Sequence, residues 1–210
     1  MKVWLPRSGQ VGWINAGLFA LCLVPLARLV YGGFANSLGA NPIETITRST
    51  GWWTLFLLMV TLAVTPLRRL SGANWLLRLR RMLGIFAFFY ASAHFMTFVW
   101  FDHWFDVAEI LKDVVKRPFV TVGFAAYLLV LPLAATSTNS MVRRLGRNWQ
   151  RLHRLIYVIA TLGVVHFWWL VKRDVTEPLL FALALAVLLG IRVFWHAREA
   201  RDPGRAGVRQ

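Results

Sequence analysis

The sequence predicts an all-α membrane protein with six transmembrane helices and with both termini in the cytoplasm. Hydrophobic residues make up 58% of the 210 residues, and they are gathered into six blocks separated by polar segments. A hydrocarbon core of about 30 Å requires roughly 20 residues of helix, which is the approximate length of each block. The net charge of +15 is spread over short clusters between the blocks, which argues for membrane topology and against nucleic-acid binding.

The blocks differ in how clearly their ends are marked. The first is longer than the apolar part of a signal peptide and lacks an Ala-x-Ala cleavage motif, so we expect a retained helix. Asn41-Pro42 precedes the second block, and Pro66 is expected to end it. Residues 1–10 are expected to form a cytoplasmic N-terminus, 11–196 the transmembrane domain and 197–210 a disordered cytoplasmic tail. In chain order, the blocks span residues 11–31, 51–67, 82–101, 119–135, 152–171 and 178–195.

The distribution of charge predicts the orientation. Of the 24 Lys and Arg residues, 17 lie before the first block, in residues 68–81 and 143–154, and from Arg192 onward. The alternate connections hold the other 7, together with seven of the nine acidic residues. Because Lys and Arg are retained on the cytoplasmic side, the four segments rich in them are expected to face the cytoplasm.

Two histidines, His94 and His166, lie deep within apolar blocks. Measured from the cytoplasmic ends of their helices near Met82 and His153, they lie at depths of about 18 and 20 Å, so we expect them at matching depth in the outer half of the membrane. Two neutral imidazoles facing each other across a bundle can ligate a haem iron from both sides. The alternatives are a packing role with an interhelical hydrogen bond and a proton relay through a water cavity.

The other charged and ionisable residues carry weaker signals. His153 lies at the cytoplasmic boundary, where a ligand and an ordinary interfacial residue are equally reasonable, while His103 and His196 are expected to be solvated. The basic run that ends at Arg151 suits lipid headgroups, a flavin phosphate or an acidic donor, and Arg80 and Arg151 are the candidate cofactor-binding residues. The chain has no Gly-rich dinucleotide motif and no residues left over for a soluble NAD or FAD domain, so electrons must come from another molecule.

Six segments of the chain are distinctive: NPIETITRSTGWW (41–53), LAVTPLRR (62–69), RRMLGIFAFFYASAHF (80–95), VKRPFVTVGFAAYLLVLPLAATS (115–137), RRLGRNWQRLHRLIY (143–157) and VHFWWLVK (165–172). They resemble the MsrQ family, the haem-binding membrane subunits of a bacterial methionine sulfoxide reductase system. The resemblance extends from about residue 10 to 195. That family is itself similar to the six-helix, haem-binding transmembrane domain of ferric reductases and NADPH oxidases.

The resemblance implies a ferric reductase-like haem-binding bundle in the bacterial inner membrane that binds haem b and FMN. Electrons would come from the quinol pool or a cytoplasmic flavin reductase and pass to the periplasmic partner MsrP, which reduces methionine sulfoxide in oxidised envelope proteins. His94 and His166 match the axial ligand pair, and His153 matches a further essential histidine. The wider oxidase family has a second histidine where this chain has Arg80, so we expect one bis-histidine haem. Whether His153 serves a second haem, a flavin or a quinol stays open.

We interpret the chain as an electron carrier that makes no bonds to a substrate. The outer loops 102–117 and 171–177 flank the ligand helices and are expected to form the surface that meets the acceptor. Two other functions are consistent with the residues: a ferric or metal reductase with the same haem core, and a transporter in which histidines relay protons. The second would more naturally have Gly- and Pro-interrupted helices around a midplane site.

Overall fold

In the computed structural model, which describes residues 8–171 and 173–201, the regular secondary structure of the described residues is entirely helical. The expectations for the first seven residues and for the tail beyond residue 201 lie outside the described part of the chain. The helices are α1 (Ser8–Phe34), α2 (Pro42–Ser71), α3 (Leu76–Met96), a π-helical turn (Thr97–Asp102), α4 (Val107–Lys116), α5 (Pro118–Ala135), α6 (Asn139–Leu145), α7 (Arg147–His153), α8 (Leu155–Leu170) and α9 (Thr176–Arg201).

Six stretches of the described chain are long and apolar enough to cross a membrane, which confirms the predicted fold class. The chain is a multi-pass membrane protein. Most of these helices extend past the apolar blocks, because an apolar block marks the part that lies in hydrocarbon and not the point where backbone hydrogen bonding stops. The stretches are Gln10–Phe34, Pro42–Ser71, Leu76–Asp102, Pro118–Ala135, Arg147–Leu170 and Thr176–Arg201.

Helix α2 begins nine residues before the apolar block that predicted it. The Asn41 side chain accepts a hydrogen bond from the Glu44 N–H at 3.2 Å, and Pro42 occupies the first turn, where its missing N–H costs nothing. The helix ends at Gly72, whose φ of 71° is the left-handed conformation that glycine adopts readily. The Asn-Pro pair is therefore a start signal, and the extra turns bring Thr47 into the bundle.

The prediction that Pro66 ends the second helix is wrong. Proline at position 66 cannot donate to the carbonyl of Leu62, yet α2 continues to Ser71. That carbonyl instead accepts a hydrogen bond from the guanidinium of Arg192 on α9. A charged donor from a neighbouring helix thus replaces the missing backbone bond, as membrane helices require when their backbone is interrupted.

Tyr90 joins α3 to α1 in a similar way. Its side chain is fully buried, and its hydroxyl donates to the Cys22 carbonyl at 2.7 Å while it accepts from the Leu26 N–H at 3.1 Å. These two backbone groups are four residues apart and would otherwise bond to each other. The hydroxyl is therefore inserted into the hydrogen-bond ladder of α1, next to Pro25.

Helix α2 occupies the centre of the bundle and packs against α1, α3, α8 and α9, while α5 packs against α3, α4 and α8. The core residues share a side facing this centre and include Leu62 of α2, Tyr90 of α3 and Ala160 of α8. The π-helical turn continues α3 directly after Met96, so the helix that carries His94 changes its winding just beyond it. This arrangement places α3 and α8 where one residue from each can meet.

Candidate functional site

His94 of α3 and His166 of α8 face each other inside the bundle. The centroids of their imidazole rings are 6.1 Å apart, and the ring planes make an angle of 73°. The two residues are 72 positions apart in the sequence and come together because both lie about the same number of turns from the N-terminal ends of their membrane-spanning stretches. The structure thus brings together the two histidines that the apolar blocks singled out.

Each of these rings is held by a hydrogen bond from Nδ1 to a backbone carbonyl of a neighbouring helix. His94 Nδ1 lies 2.9 Å from the carbonyl oxygen of Thr47 on α2. His166 Nδ1 lies 2.7 Å from the carbonyl oxygen of Phe119 on α5. Because a carbonyl can only accept, Nδ1 carries the proton in both rings. Both Nε2 atoms are therefore deprotonated in the neutral imidazoles and can act as ligands.

The donor set fits a haem better than a bare metal ion. Among the described residues no cluster of three or more His, Cys, Asp or Glu side chains could hold a metal, whereas a haem iron needs only two axial ligands from the protein. If both imidazoles held one iron through metal–nitrogen bonds of about 2 Å, their centroids would lie roughly 6 Å apart. The observed 6.1 Å agrees with that spacing.

His153 is separate from the His94–His166 pair and lines a cavity of about 280 Å³ between α2, α3, α5 and α7. Its ring stacks on Trp149 with 3.9 Å between centroids, and its Nδ1 lies 3.1 Å from the Trp149 carbonyl oxygen. Because a carbonyl can only accept, Nδ1 carries a proton in this ring as well. The cavity is lined by Leu58, Thr61, Leu77, Arg80, Arg81, Gly84, Ile85, Phe88, Val130, Leu133, Ala134, Ser137, Trp149, His153 and Ile156.

Arg80 shares this cavity with His153. Among the described residues Arg80 takes part in no salt bridge, and the cavity lining contains no carboxylate. A half-buried guanidinium without a carboxylate partner favours a ligand with an anionic group. Arg151, by contrast, is exposed and does not line the cavity, so the structure places only one of the two predicted arginines beside His153.

Two expectations about this region need correction. The predicted uninterrupted helix from residue 152 to 171 is broken, because α7 ends at His153 and α8 begins at Leu155, with the Arg154 N–H bonded to the Arg151 carbonyl in a tighter turn. The expectation that His103 is solvated is also wrong.

His103 is held between α4 and the π-helical turn that continues α3. Its side chain is 10% exposed, with Nε2 3.1 Å from the Asp113 carboxylate and Nδ1 3.0 Å from the Phe98 carbonyl. Asp113 also pairs with Arg117 at 3.2 Å. The expectation failed because Asp113 is ten residues away and only the fold of α4 brings it back. His196 is 82% exposed, as expected.

Comparison with known proteins gives a consistent result. The family described as ferric reductase like transmembrane component matches residues 50–164. The protein-methionine-sulfoxide reductase heme-binding subunit MsrQ of Herminiimonas arsenicoxydans is 60% identical over 93% of this chain and 91% of its own length. The subunits of the same name from Ralstonia nicotianae and Bordetella pertussis are 55% and 52% identical, over 92% and 90% of this chain and 91% and 94% of their own lengths. No solved structure matches the chain at a significant level.

The six membrane helices and the matched segment define a membrane protein of the ferric reductase-like transmembrane class. Within that class the chain belongs to the MsrQ family, because relatives of that name share half or more of its residues over nine tenths of its length. The resemblance read from the sequence segments is confirmed. Members of this family are named as heme-binding subunits of protein-methionine-sulfoxide reductase.

Proposed function

We propose that this chain is a b-type cytochrome of the bacterial inner membrane that relays electrons from the cytoplasmic side to the periplasmic enzyme MsrP. The observation that carries the proposal is the facing pair His94 and His166, each with Nδ1 bonded to a carbonyl and Nε2 available. The family adds support, since its members are named as heme-binding subunits of protein-methionine-sulfoxide reductase. The chain itself makes no bonds to methionine sulfoxide, which MsrP reduces.

In this proposal His94 and His166 hold haem b by their Nε2 atoms. Bound there, the haem supplies one-electron transfer between ferric and ferrous iron. The protein contributes rigid ligands, since each Nδ1–H bond fixes the tautomer and the ring orientation and increases the donation of the imidazole to the metal. Both rings are half-buried among apolar helices. Preorganised ligands with a fixed orientation suit electron transfer.

The charge distribution supports an orientation with both termini in the cytoplasm. The Lys- and Arg-rich segments that include residues 68–81 and 143–154 would then lie at the cytoplasmic surface, with Arg80 and His153 just inside it. His94 and His166 would lie nearer the periplasm. Electrons would thus enter near the cavity, on the cytoplasmic side, and leave from the periplasmic side, where MsrP is located.

The cavity beside His153 is the proposed entry point for electrons. Arg80 suits an anionic group, which a haem propionate and the phosphate of FMN both provide, whereas a quinol would use the uncharged side of the same cavity. A volume of about 280 Å³ is near the lower limit of ligand pockets, which favours partial insertion of a larger cofactor. A second haem, FMN and quinol therefore remain three candidates for one site.

The outer loops are the proposed docking surface for MsrP. Helix α4 has an apolar side with Val107, Leu111 and Val115, which are 66, 56 and 81% exposed, and a polar side with Glu109 and Lys112. We expect the apolar side to lie in the outer lipid headgroup region and the polar side to face the partner. The hydrogen bond from Lys112 to Glu109 raises the pKa of the ammonium, which keeps Lys112 charged at neutral pH.

Asp174 lies in the other outer loop, where hydrogen bonds from the Thr176 side chain and backbone lower the pKa of its carboxyl.

Charge reversal at Asp102, Asp106 and Lys172 is expected to slow electron transfer to purified MsrP at low salt. Lys172 lies outside the described residues. Asp106 also caps α4, so Asp106→Asn serves as the control that removes the charge and keeps a capping side chain. Unchanged transfer after charge reversal would contradict the docking surface.

A ferric reductase is the second candidate function, favoured by the match to the ferric reductase-like family. The discriminating experiment follows reoxidation of the dithionite-reduced protein in proteoliposomes. We expect fast reoxidation only when MsrP and methionine sulfoxide are both added. Equally fast reoxidation by a ferric chelate without MsrP would favour the metal reductase. Absence of a haem spectrum in the folded protein would instead favour a proton relay.

A further inference from the structure

Two glycines lie against the histidine pair, one against each ring. A Cβ atom built on Gly51 of α2 would lie 3.1 Å from both Cε1 and Nδ1 of His94. A Cβ atom built on Gly123 of α5 would lie 2.7 Å from Nδ1 and 2.8 Å from Cε1 of His166. Distances under 3.0 Å essentially never occur for real Cβ atoms, so a side chain at position 123 is incompatible with the observed ring position.

The glycines and the carbonyl acceptors have the same spacing on both helices. Gly51 follows Thr47 by four residues, and Gly123 follows Phe119 by four residues. In an α-helix a side chain leans toward the N-terminus and covers the turn before it, which is the turn that carries the carbonyl four residues earlier. Glycine at that position uncovers the carbonyl, and an imidazole from another helix can then reach it.

We propose that Gly51 and Gly123 are positioning residues, which seat the two ligand imidazoles by opening a notch over the Thr47 and Phe119 carbonyls. Glycine inside a helix is less stable than alanine, so a notch at both rings has a cost that the two Nδ1 hydrogen bonds offset. The inference rests on the proposed ligation of haem by His94 and His166. It adds two residues, on α2 and α5, that control the orientation and donor strength of these ligands.

Two other helical glycines provide matched controls. A Cβ atom on Gly17 of α1 or on Gly190 of α9 would meet nothing within 4 Å. Alanine at these positions therefore changes helix propensity and leaves the histidine rings untouched. Gly51→Ala and Gly123→Ala differ from the controls only in the contact with an imidazole.

The test compares the four alanine variants in the full-length, detergent-purified protein expressed with haem supply. Three quantities are measured: haem content per chain, the low-spin electron paramagnetic resonance signal, which depends on the angle between the imidazole planes, and the midpoint potential. Gly123→Ala, with the closer contact, is expected to lower haem retention about 10-fold or more, as for other residues that orient metal ligands. Gly51→Ala is expected to keep haem, with a shifted resonance signal and a more positive potential, because a weakened Nδ1–H bond makes the ligand a poorer donor to ferric iron.

Wild-type haem content, resonance signal and potential in both variants would overturn the proposal, and so would equal changes in the Gly17→Ala and Gly190→Ala controls. If Gly123→Ala does not fold by size exclusion and circular dichroism, the milder Gly51→Ala decides alone. Failure of the underlying ligation gives a different result, because haem would then survive in His94→Ala and His166→Ala. Haem lost in those variants but unaffected by either glycine change would reject the notch and keep the ligands.

Discussion

The contact between Arg192 and the proline-interrupted helix α2 gives a prediction whose size can be worked out. The guanidinium donates to the Leu62 carbonyl, which Pro66 leaves without a backbone partner, and to the Leu188 carbonyl at 2.8 Å. It also lies 5.4 Å from the centroid of the Tyr157 ring. Hydrogen bonds to charged groups contribute about 1.5–3 kcal/mol, so Arg192→Met is expected to lower the free energy of unfolding by roughly 2–3 kcal/mol.

Pro66→Ala tests whether the cost of Arg192→Met arises from the unpaired Leu62 carbonyl. Alanine supplies the N–H that proline lacks, and the carbonyl can then bond within α2. In that background Arg192→Met should cost about 1–2 kcal/mol less, a coupling that a double-mutant cycle measures. The assay is unfolding by sodium dodecyl sulfate in mixed micelles, followed by the fluorescence of the 11 tryptophans. Arg198→Met is the control, since the Arg198 guanidinium lies over the Phe194 ring of its own helix. An equal cost of Arg192→Met in both backgrounds would refute the reasoning.

Two further predictions concern the contact between Tyr90 and helix α1 and the cavity beside His153. Tyr90→Phe removes a fully buried hydroxyl with two hydrogen bonds and should lower the free energy of unfolding in the same assay by about 1–2 kcal/mol. The control Tyr31→Phe, at a residue that is 73% exposed, should change it by less than about 0.5 kcal/mol. Equal effects of the two variants would contradict the inserted hydroxyl. Arg80→Ala should reduce retention of an anionic cofactor in the purified protein by roughly tenfold, measured as haem and flavin per chain. The control Arg151→Ala should leave it unchanged. Unchanged cofactor content in both variants would contradict the anion-pairing role of Arg80.

The sequence allowed prediction of features that depend on counting along one helix. Apolar block length predicted six crossings, and twelve or thirteen residues of helical rise predicted that His94 and His166 reach the same depth. Residues that depend on contacts between helices could not be predicted in this way. Pro66 looks like a helix end until Arg192, 126 residues later, is seen to satisfy the Leu62 carbonyl.

The two glycines illustrate the same limit. Gly51 and Gly123 look like ordinary glycines in apolar helices, and their closeness to the histidines exists only after α2 and α5 pack against α3 and α8. A signal was nevertheless present, because each glycine lies in a segment that resembles the MsrQ family. The segments show where this chain is similar to the family, but only the packed helices show that a Cβ atom at these positions would overlap with an imidazole.

The central claim is that His94 and His166 together hold haem b, and a reduced-minus-oxidised visible spectrum tests it most directly. The wild-type protein, purified in detergent after expression with haem supply, is compared with His94→Ala and His166→Ala, and with His196→Ala as an exposed control. We expect a b-type spectrum in the wild type and in His196→Ala, and loss of the bis-histidine component in both other variants. A full wild-type spectrum in either of those two variants would contradict the ligand pair.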